Sequence, residues 1–130
     1  MTRSLESFED ESAVRHVIIR YAHTMDNRQF DEFAELYHPD AVLTLDGKPF
    51  SGREAIVGWM KELAGSPAGV HMTGNTIVKL EGVRAHAISD FMYGRKLPEG
   101  WKLFAAGRYM DTLEKRNGQW LFLRREITLG

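Results

Sequence analysis

The order of two periodicities along the chain constrains the fold more than any other feature. Up to about residue 63 apolar residues recur at helical spacing, and from Val70 onward they alternate with polar residues as strands require. The expected strands cover residues 70–80, 83–93, 101–113 and 119–128, and short turns join them. Helices followed by a run of antiparallel strands indicate an α+β fold rather than a parallel sheet of βαβ units.

Three helices are expected ahead of these strands. The first buries a stripe at three- and four-residue spacing, formed by Val14, Val17, Ile18, Tyr21, Ala22 and Met25. A short second helix is expected over residues 29–36 and a third over residues 52–63. Between them we expect a strand at 41–45 followed by the tight turn Asp46-Gly47. Residues 1–130 are expected to form a single domain in which residues 1–10 are a loose N-terminal segment.

The long strands predict a curved sheet around a pocket. Strands of about ten residues exceed the usual ~5–6, and a strongly twisted sheet of long strands curls, so that the three helices can close its open side. We therefore expect a conical sheet, mixed or antiparallel, that encloses a cavity. Small residues followed by aromatic ones suit a tapering interior, which assigns inward Ala85, Ala87, Ser89, Phe91 and Tyr93 on one strand and Leu103, Ala105, Gly107 and Tyr109 on the next.

Composition argues against several classes of function. The net charge of -1, from 17 basic and 18 acidic residues, gives no electrostatic footprint for nucleic acid. No apolar run is long enough to span a membrane, and the polar N-terminus does not resemble a secretory signal. The chain has no cysteine, which agrees with a cytoplasmic location. No spacing among its histidines and carboxylates resembles a metal site, so neither a metal nor a cofactor is expected.

Two polar residues are ambiguous on the pattern alone. His71 shares one face of its strand with Thr73 and Asn75, where it is either a core histidine satisfied by a hydrogen bond or a base in the pocket. Asp26 lies near the end of the first helix on the border of the buried stripe, where a solvated aspartate is the plainer interpretation. Tyr21 lies on the stripe itself, and its hydroxyl needs a partner.

Five segments in order along the chain resemble the SnoaL-like family, which belongs to the nuclear-transport-factor-like superfamily of conical barrels. They are Tyr21-Ala22-His23-Thr24-Met25-Asp26 with Phe30-Asp31 and Leu36-Tyr37-His38-Pro39-Asp40-Ala41; Gly52-Arg53-Glu54-Ala55-Ile56; His71-Met72-Thr73-Gly74-Asn75; Gly107-Arg108-Tyr109-Met110-Asp111; and Asn117-Gly118-Gln119-Trp120 with Arg124-Arg125. The resemblance covers nearly the whole chain, from about Ser12 to Thr128.

The pattern is similar to that of scytalone dehydratase, hexachlorocyclohexane dehydrochlorinase and the bile-acid 7α-dehydratases. It implies an aspartate–histidine dyad that works without metal or organic cofactor, with Asp26, His71 and Tyr21 at the catalytic positions. An arginine that some members use falls on Arg125, although strand alternation leaves open whether Arg124 or Arg125 faces the pocket. The second histidine of scytalone dehydratase and a further pocket tyrosine have no counterpart here.

The resemblance implies a cofactor-independent lyase that carries out a dehydratase-type elimination on a small apolar, aromatic or polycyclic substrate. Asp26 would orient His71, and His71 would act as the general base. A proton-shifting isomerase of the ketosteroid isomerase type and a non-catalytic binding or assembly module are the alternatives. The expected substrate contacts are Asn75, Ser89, Phe91, Tyr93, Tyr109 and Arg125.

A homo-oligomer, either a dimer or a trimer, is also expected. The outer face of the sheet would otherwise expose an apolar patch formed by Met72, Val78, Leu80, Ile88 and Met92. Beyond a second copy and a small-molecule ligand, no nucleic-acid or membrane partner is expected.

Overall fold

The computed structural model describes residues 4–64 and 69–130, in which three helices pack on one curved sheet. The helices are α1 (Leu5–Asp26), α2 (Phe30–Ala34) and α3 (Arg53–Leu63). The strands are β1 (Tyr37–Leu45), β2 (Lys48–Ser51), β3 (Val70–Glu81), β4 (Arg84–Leu97), β5 (Gly100–Arg116) and β6 (Gln119–Leu129). The sheet order is β2-β1-β6-β5-β4-β3, and β1 runs parallel to β6 while the other neighbours are antiparallel. The expected α+β fold with a mixed sheet is confirmed.

Helix α1 packs its apolar stripe against the concave face of the sheet. Val14, Ile18 and Tyr21 are almost fully buried there, as the helical spacing predicted. The helix begins at Leu5, capped by the Ser4 side chain, so the expectation of a loose segment over residues 1–10 is corrected for residues 5–10, while residues 1–3 lie outside the described residues. Asp10 ties this end to the sheet: its Oδ1 accepts hydrogen bonds from Trp120 Nε1 at 2.9 Å and Lys115 Nζ at 3.0 Å. Those bonds lower the pKa of Asp10.

The other helices close the sheet beside α1. Helix α3 contributes Ile56, Trp59 and Met60 to the core, whereas Leu63, at its last turn, stays 41% exposed. Helix α2 is a single short turn of five residues, and β1 begins earlier than expected, at Tyr37. Among the residues that the structure describes, no helix is both long and apolar enough to cross a membrane.

The inward face assigned to β4 is confirmed. Ala85, Ala87, Ser89 and Phe91 are buried on the concave side, while the residues between them point outward. Toward its end, this strand contributes Phe91, Tyr93 and Arg95 to the wall of a cavity.

Strand β3 departs from simple alternation at a β-bulge. Its pairing with β4 shifts between Gly74 and Ile77, and Asn75 has a positive φ of 52°. One extra residue reverses the facing of everything beyond it. His71 and Thr73 point inward, Asn75 and Ile77 are exposed on the outer face, and Val78 and Leu80 turn into the core. The inward placement of Asn75 and the outward placement of Val78 and Leu80 were therefore wrong.

A second bulge changes the start of β5. Tyr93 pairs with Ala105 but Gly94 pairs with Leu103, which leaves Phe104 as the extra residue. Leu103 is consequently 57% exposed and does not face the interior as expected. Beyond the bulge the expected facing holds, and Tyr109 is buried on the concave side.

Candidate active site

A cavity of about 230 Å³ opens between the concave face of the sheet and helices α1 and α3. Its wall is mostly apolar or aromatic, as in most small-molecule sites. The apolar lining residues are Met25, Leu45, Trp59, Leu63, Gly69, Phe91, Ala105, Ile127 and Leu129. The polar and charged ones are Tyr21, Asp26, Arg28, His71, Tyr93, Arg95 and Tyr109.

Asp26 and His71 meet in this cavity. Asp26 is the last residue of α1 and His71 the second residue of β3. The Asp26 Oδ1 atom lies 2.5 Å from His71 Nδ1, and Asp26 Oδ2 accepts a hydrogen bond of 2.8 Å from the His71 backbone N–H. Their side chains are only 15% and 13% exposed. Two bonds to one residue hold the carboxylate and the imidazole in a single relative orientation.

The partner of Nδ1 determines which nitrogen of His71 is left for chemistry. An ionised carboxylate only accepts hydrogen bonds, so Nδ1 carries the proton that faces Asp26 in the neutral ring. Within residues 4–64 and 69–130, no hydrogen-bond partner is found for Nε2. That nitrogen, with its lone pair, is the one available to a ligand in the cavity.

Aromatic rings surround His71. The Tyr93 ring centroid lies 4.5 Å from that of the imidazole, Phe91 lies at 6.3 Å, and Tyr21 meets it edge-on at 6.4 Å. Tyr109 stacks on Phe91 with 4.3 Å between centroids. Burial raises the pKa of Tyr21 to about 12, against the opposing charge of Arg125. Tyr21 is therefore a neutral phenol at physiological pH and can donate a hydrogen bond.

Arg125 lies beneath the cavity and does not line it. Its Nε and Nη2 donate to the two oxygens of Asp111 at 2.8 and 2.9 Å, and both side chains are fully buried. The guanidinium carbon lies 4.2 Å from the ring centroid of Tyr21 and 3.7 Å from that of Tyr109. Arg124 is exposed and Arg125 points into the interior, but neither lines the cavity, so the expected contact of Arg125 with substrate is corrected to a contact with these rings.

Two other expected contacts also lie away from the cavity. Ser89 is buried on the inward face of β4, where its hydroxyl lies 2.9 Å from Thr76 Oγ1. Asn75 is exposed on the outer face, and its Nδ2 donates to Asp90 Oδ2 at 3.3 Å. The alternation correctly placed Ser89 in the interior but did not predict its distance from the cavity. The bulge places Asn75 on the outer face. Tyr21, Phe91, Tyr93 and Tyr109 line the cavity together with Asp26 and His71.

Several lining residues were missed from the sequence. Arg95 continues the inward alternation of β4 two residues past Tyr93, a signal that was lost because the expected strand stopped at Tyr93. Trp59 lies on the buried face of α3, inside the helix expected over residues 52–63, but its contact with the cavity was not predicted. Arg28, in the turn after α1, had no sequence signal. Among the residues described, no group of three or more histidine or carboxylate side chains could hold a metal ion.

Several solved structures of other proteins share this fold. An NTF2-like protein with a cystatin-like fold from Novosphingobium aromaticivorans superposes with a TM-score of 0.86 and 22% identity, covering 99% of this chain and 92% of that one. A candidate scytalone dehydratase from the same organism gives a TM-score of 0.82 and 22% identity over 95% and 85% of the two chains. LinA superposes with a TM-score of 0.87 and 21% sequence identity, covering 97% of this chain and 89% of that one. At these identities the likeness establishes the fold alone.

Sequence comparison identifies the family of the chain. Uncharacterized proteins of Mycobacterium tuberculosis and Mycobacterium bovis are 26% identical over 84 residues, or 61% of this chain, and the match spans about half of their length, 56%. The family model for the SnoaL-like domain matches residues 6–126. The chain therefore belongs to the SnoaL-like domain family.

Proposed function

We propose that this protein is a cofactor-independent lyase in which His71, oriented by Asp26, removes a proton from a carbon of the substrate. The observation that carries the proposal is the doubly hydrogen-bonded Asp26–His71 pair at the wall of an apolar cavity. An imidazole held in one tautomer by a buried carboxylate is a general base whose charged form the carboxylate stabilises. A positioned base of this kind contributes ~10²–10⁴-fold to a rate.

In the proposed elimination, His71 Nε2 takes the proton from a carbon next to a carbonyl group. The electron pair of the broken C–H bond forms the new double bond, and the leaving group departs with its own bonding pair. When the leaving group is hydroxide, the imidazolium returns its proton to that oxygen and water is released. The hydroxyl of Tyr21, protonated at physiological pH because burial raises its pKa to about 12, is the donor that stabilises the developing negative charge.

The size of the cavity limits the substrate. Its volume of about 230 Å³ falls short of the ~300–1,000 Å³ of sites for drug-sized ligands. It exceeds the ~150 Å³ of an apolar cavity that binds benzene. A substrate with one or two rings fits these limits, and the aromatic wall formed by Tyr21, Phe91, Tyr93 and Tyr109 favours a flat apolar body.

A proton-shifting isomerase is the second candidate, because the same base and phenols would serve it. The cavity holds a base and neutral phenols, Tyr21 and Tyr109, which suit an enolate intermediate, whereas the charged Arg125 lies beneath the wall. Isomerisation returns the proton to the substrate and needs no leaving group. The names of the similar structures agree with the lyase, since one is a candidate scytalone dehydratase.

Two small ketones distinguish the two reactions, because each is the starting compound for only one of them. Both reactions give the same absorbing product, so one assay follows them. Elimination of water from 3-hydroxycyclohexanone gives cyclohex-2-enone, and isomerisation of cyclohex-3-enone gives it as well. We expect the wild-type protein to accelerate formation of the enone from the hydroxyketone. His71→Gln, which keeps volume but removes the base, should reduce the rate ~10²-fold or more.

The matched control is His86→Gln, because His86 is the same residue type exposed on the outer face of β4. Its rate should equal that of the wild type. If the enone forms from cyclohex-3-enone but not from 3-hydroxycyclohexanone, the protein is an isomerase and the lyase proposal is wrong. If both ketones bind and neither reacts, the cavity is a binding site and the proposal fails.

A further inference from the structure

The cavity carries two positive side chains that the dyad does not use. Arg28 and Arg95 both line it, and both are partly exposed, which places them at its opening. Arg28 follows Asp26 by two residues, in a turn where its own φ is 55°. Arg95 lies on β4 just past Gly94, the last residue of that strand paired with β3. Two separate elements thus bring guanidinium groups to one opening.

Among the lining residues that the structure describes, positive side chains outnumber carboxylates. Asp26 is the only acidic residue among the lining residues that the structure describes, and both of its oxygens are engaged by His71. Residues 65–68, Gly-Ser-Pro-Ala, contribute no ionisable side chain. The lining therefore carries two positive charges and one negative charge that is already hydrogen-bonded, and a lining with a positive balance attracts anions.

The side chain of Arg95 is held in place while its two terminal nitrogens remain available to a ligand. Its Nε donates to the Tyr93 hydroxyl at 3.2 Å, and its guanidinium carbon lies 4.5 Å from the ring centroid of Phe104. Within the part of the chain that the structure describes, its two terminal nitrogens have no hydrogen-bond partner. A planar pair of N–H donors at the edge of a stacked guanidinium matches the two oxygens of a carboxylate.

We propose that the cavity binds substrates with a carboxylate group, held at the opening by Arg95 and Arg28, and with a small apolar or aromatic body inside. The body lies between Trp59 and Phe91, and the carbon that loses its proton faces His71. That the bound anion is a substrate rests on the proposed lyase function, whereas the preference for carboxylates is a property of binding and is tested without turnover.

The test compares 2-naphthoate with 2-naphthamide, which have the same shape and differ in charge. We expect the wild-type protein to bind the anion ~10-fold or more tightly than the amide at low salt, as followed by titration with NMR detection. Added salt should reduce the difference because the opening is partly exposed. Arg95→Gln and Arg28→Gln should each lower the ratio of the two affinities, and the double variant should bring it close to one.

Arg124→Gln is the matched control, since Arg124 is an exposed arginine on β6 outside the lining and its replacement changes the net charge equally. Its affinity ratio should match that of the wild type. Equal binding of anion and amide by the wild type would overturn the proposal. So would equal reductions of the affinity ratio by Arg124→Gln and Arg95→Gln. A carboxylate preference without enzymatic turnover would instead refute the lyase and leave this inference in place.

Discussion

Asp26 occupies a position that would be unfavourable without its partner. A carboxylate at the end of a helix faces the negative end of the helix dipole, which costs up to about 1 kcal/mol near the surface. Here both oxygens accept hydrogen bonds from His71, one of them from the backbone. Because the backbone bond fixes β3 against the end of α1, the residue that orients the imidazole also holds the two elements together. The proposed dyad is therefore part of the fold as well as of the site.

Arg125 and Asp111 form a second buried pair, with a different role. Both side chains are fully buried, and burial raises the pKa of Asp111 while the charge of Arg125 opposes that shift. Removing one partner of such a pair leaves a charge without compensation in the interior. We therefore expect Asp111→Asn to lower the free energy of unfolding by about 3–5 kcal/mol, measured by urea denaturation.

The control for this prediction is a pair on the surface. Asp90 accepts a hydrogen bond from Arg108 Nε at 2.9 Å, and both side chains are substantially exposed. Solvent screens such a pair, so Asp90→Asn should leave the urea midpoint nearly unchanged. Equal losses for Asp111→Asn and Asp90→Asn would show that burial does not set the value of the Arg125–Asp111 pair.

At the scale of elements, the sequence predicted periodicity well and register poorly. The stripe of α1, the inward face of β4 and the hairpin turns follow from local spacing, and all are observed. The bulges at Asn75 and Phe104 are decided by how two strands pair, which no local pattern records. They account for Asn75, Val78, Leu80 and Leu103, each of which was assigned to the wrong face. Asp26 and His71 were identified by family resemblance, since periodicity left both open.

The bulge in β3 gives a prediction that separates structure from substrate contact. Asn75 has a φ of 52° on the exposed face, a conformation that asparagine and glycine tolerate and alanine does not. Asn75→Ala should therefore lower the free energy of unfolding by ~1–2 kcal/mol, whereas Asn75→Gly should change it little. Neither change should weaken 2-naphthoate binding. Equal loss of binding in both variants, with stability unchanged, would return Asn75 to the site.

Over the whole molecule, the helices that the structure describes cover the concave side of the sheet, and none of them packs on the convex side. All three helices and the core lie on the concave side, and we propose that the 130 residues form a single domain on this sheet. The convex side exposes large apolar side chains among charged ones; these are Met72, Ile77, Ile88, Met92 and Met110. They replace the patch expected from the sequence, with Ile77 and Met110 in place of Val78 and Leu80.

This exposed face predicts self-association. Apolar side chains concentrated on one face favour burial against a second copy of the chain. We expect light scattering to give a mass of two or three times 14.9 kDa at micromolar concentration. Met92→Glu should shift the mass toward that of the monomer, and Leu5→Glu, at an exposed apolar residue on α1, should not. A wild-type mass of 14.9 kDa would contradict the prediction.

Removal of a proton from carbon by His71 can be measured directly. Exchange of the α-protons of cyclohexanone in D₂O, followed by NMR, reports that step without requiring a leaving group or the correct product. The wild-type protein should accelerate exchange, and His71→Gln should reduce the acceleration ~10²-fold or more. Asp26→Asn should give a smaller or comparable loss, and the double variant should lose little beyond His71→Gln, because residues that act as a unit are not additive. Exchange by His71→Gln at the wild-type rate would contradict the central claim.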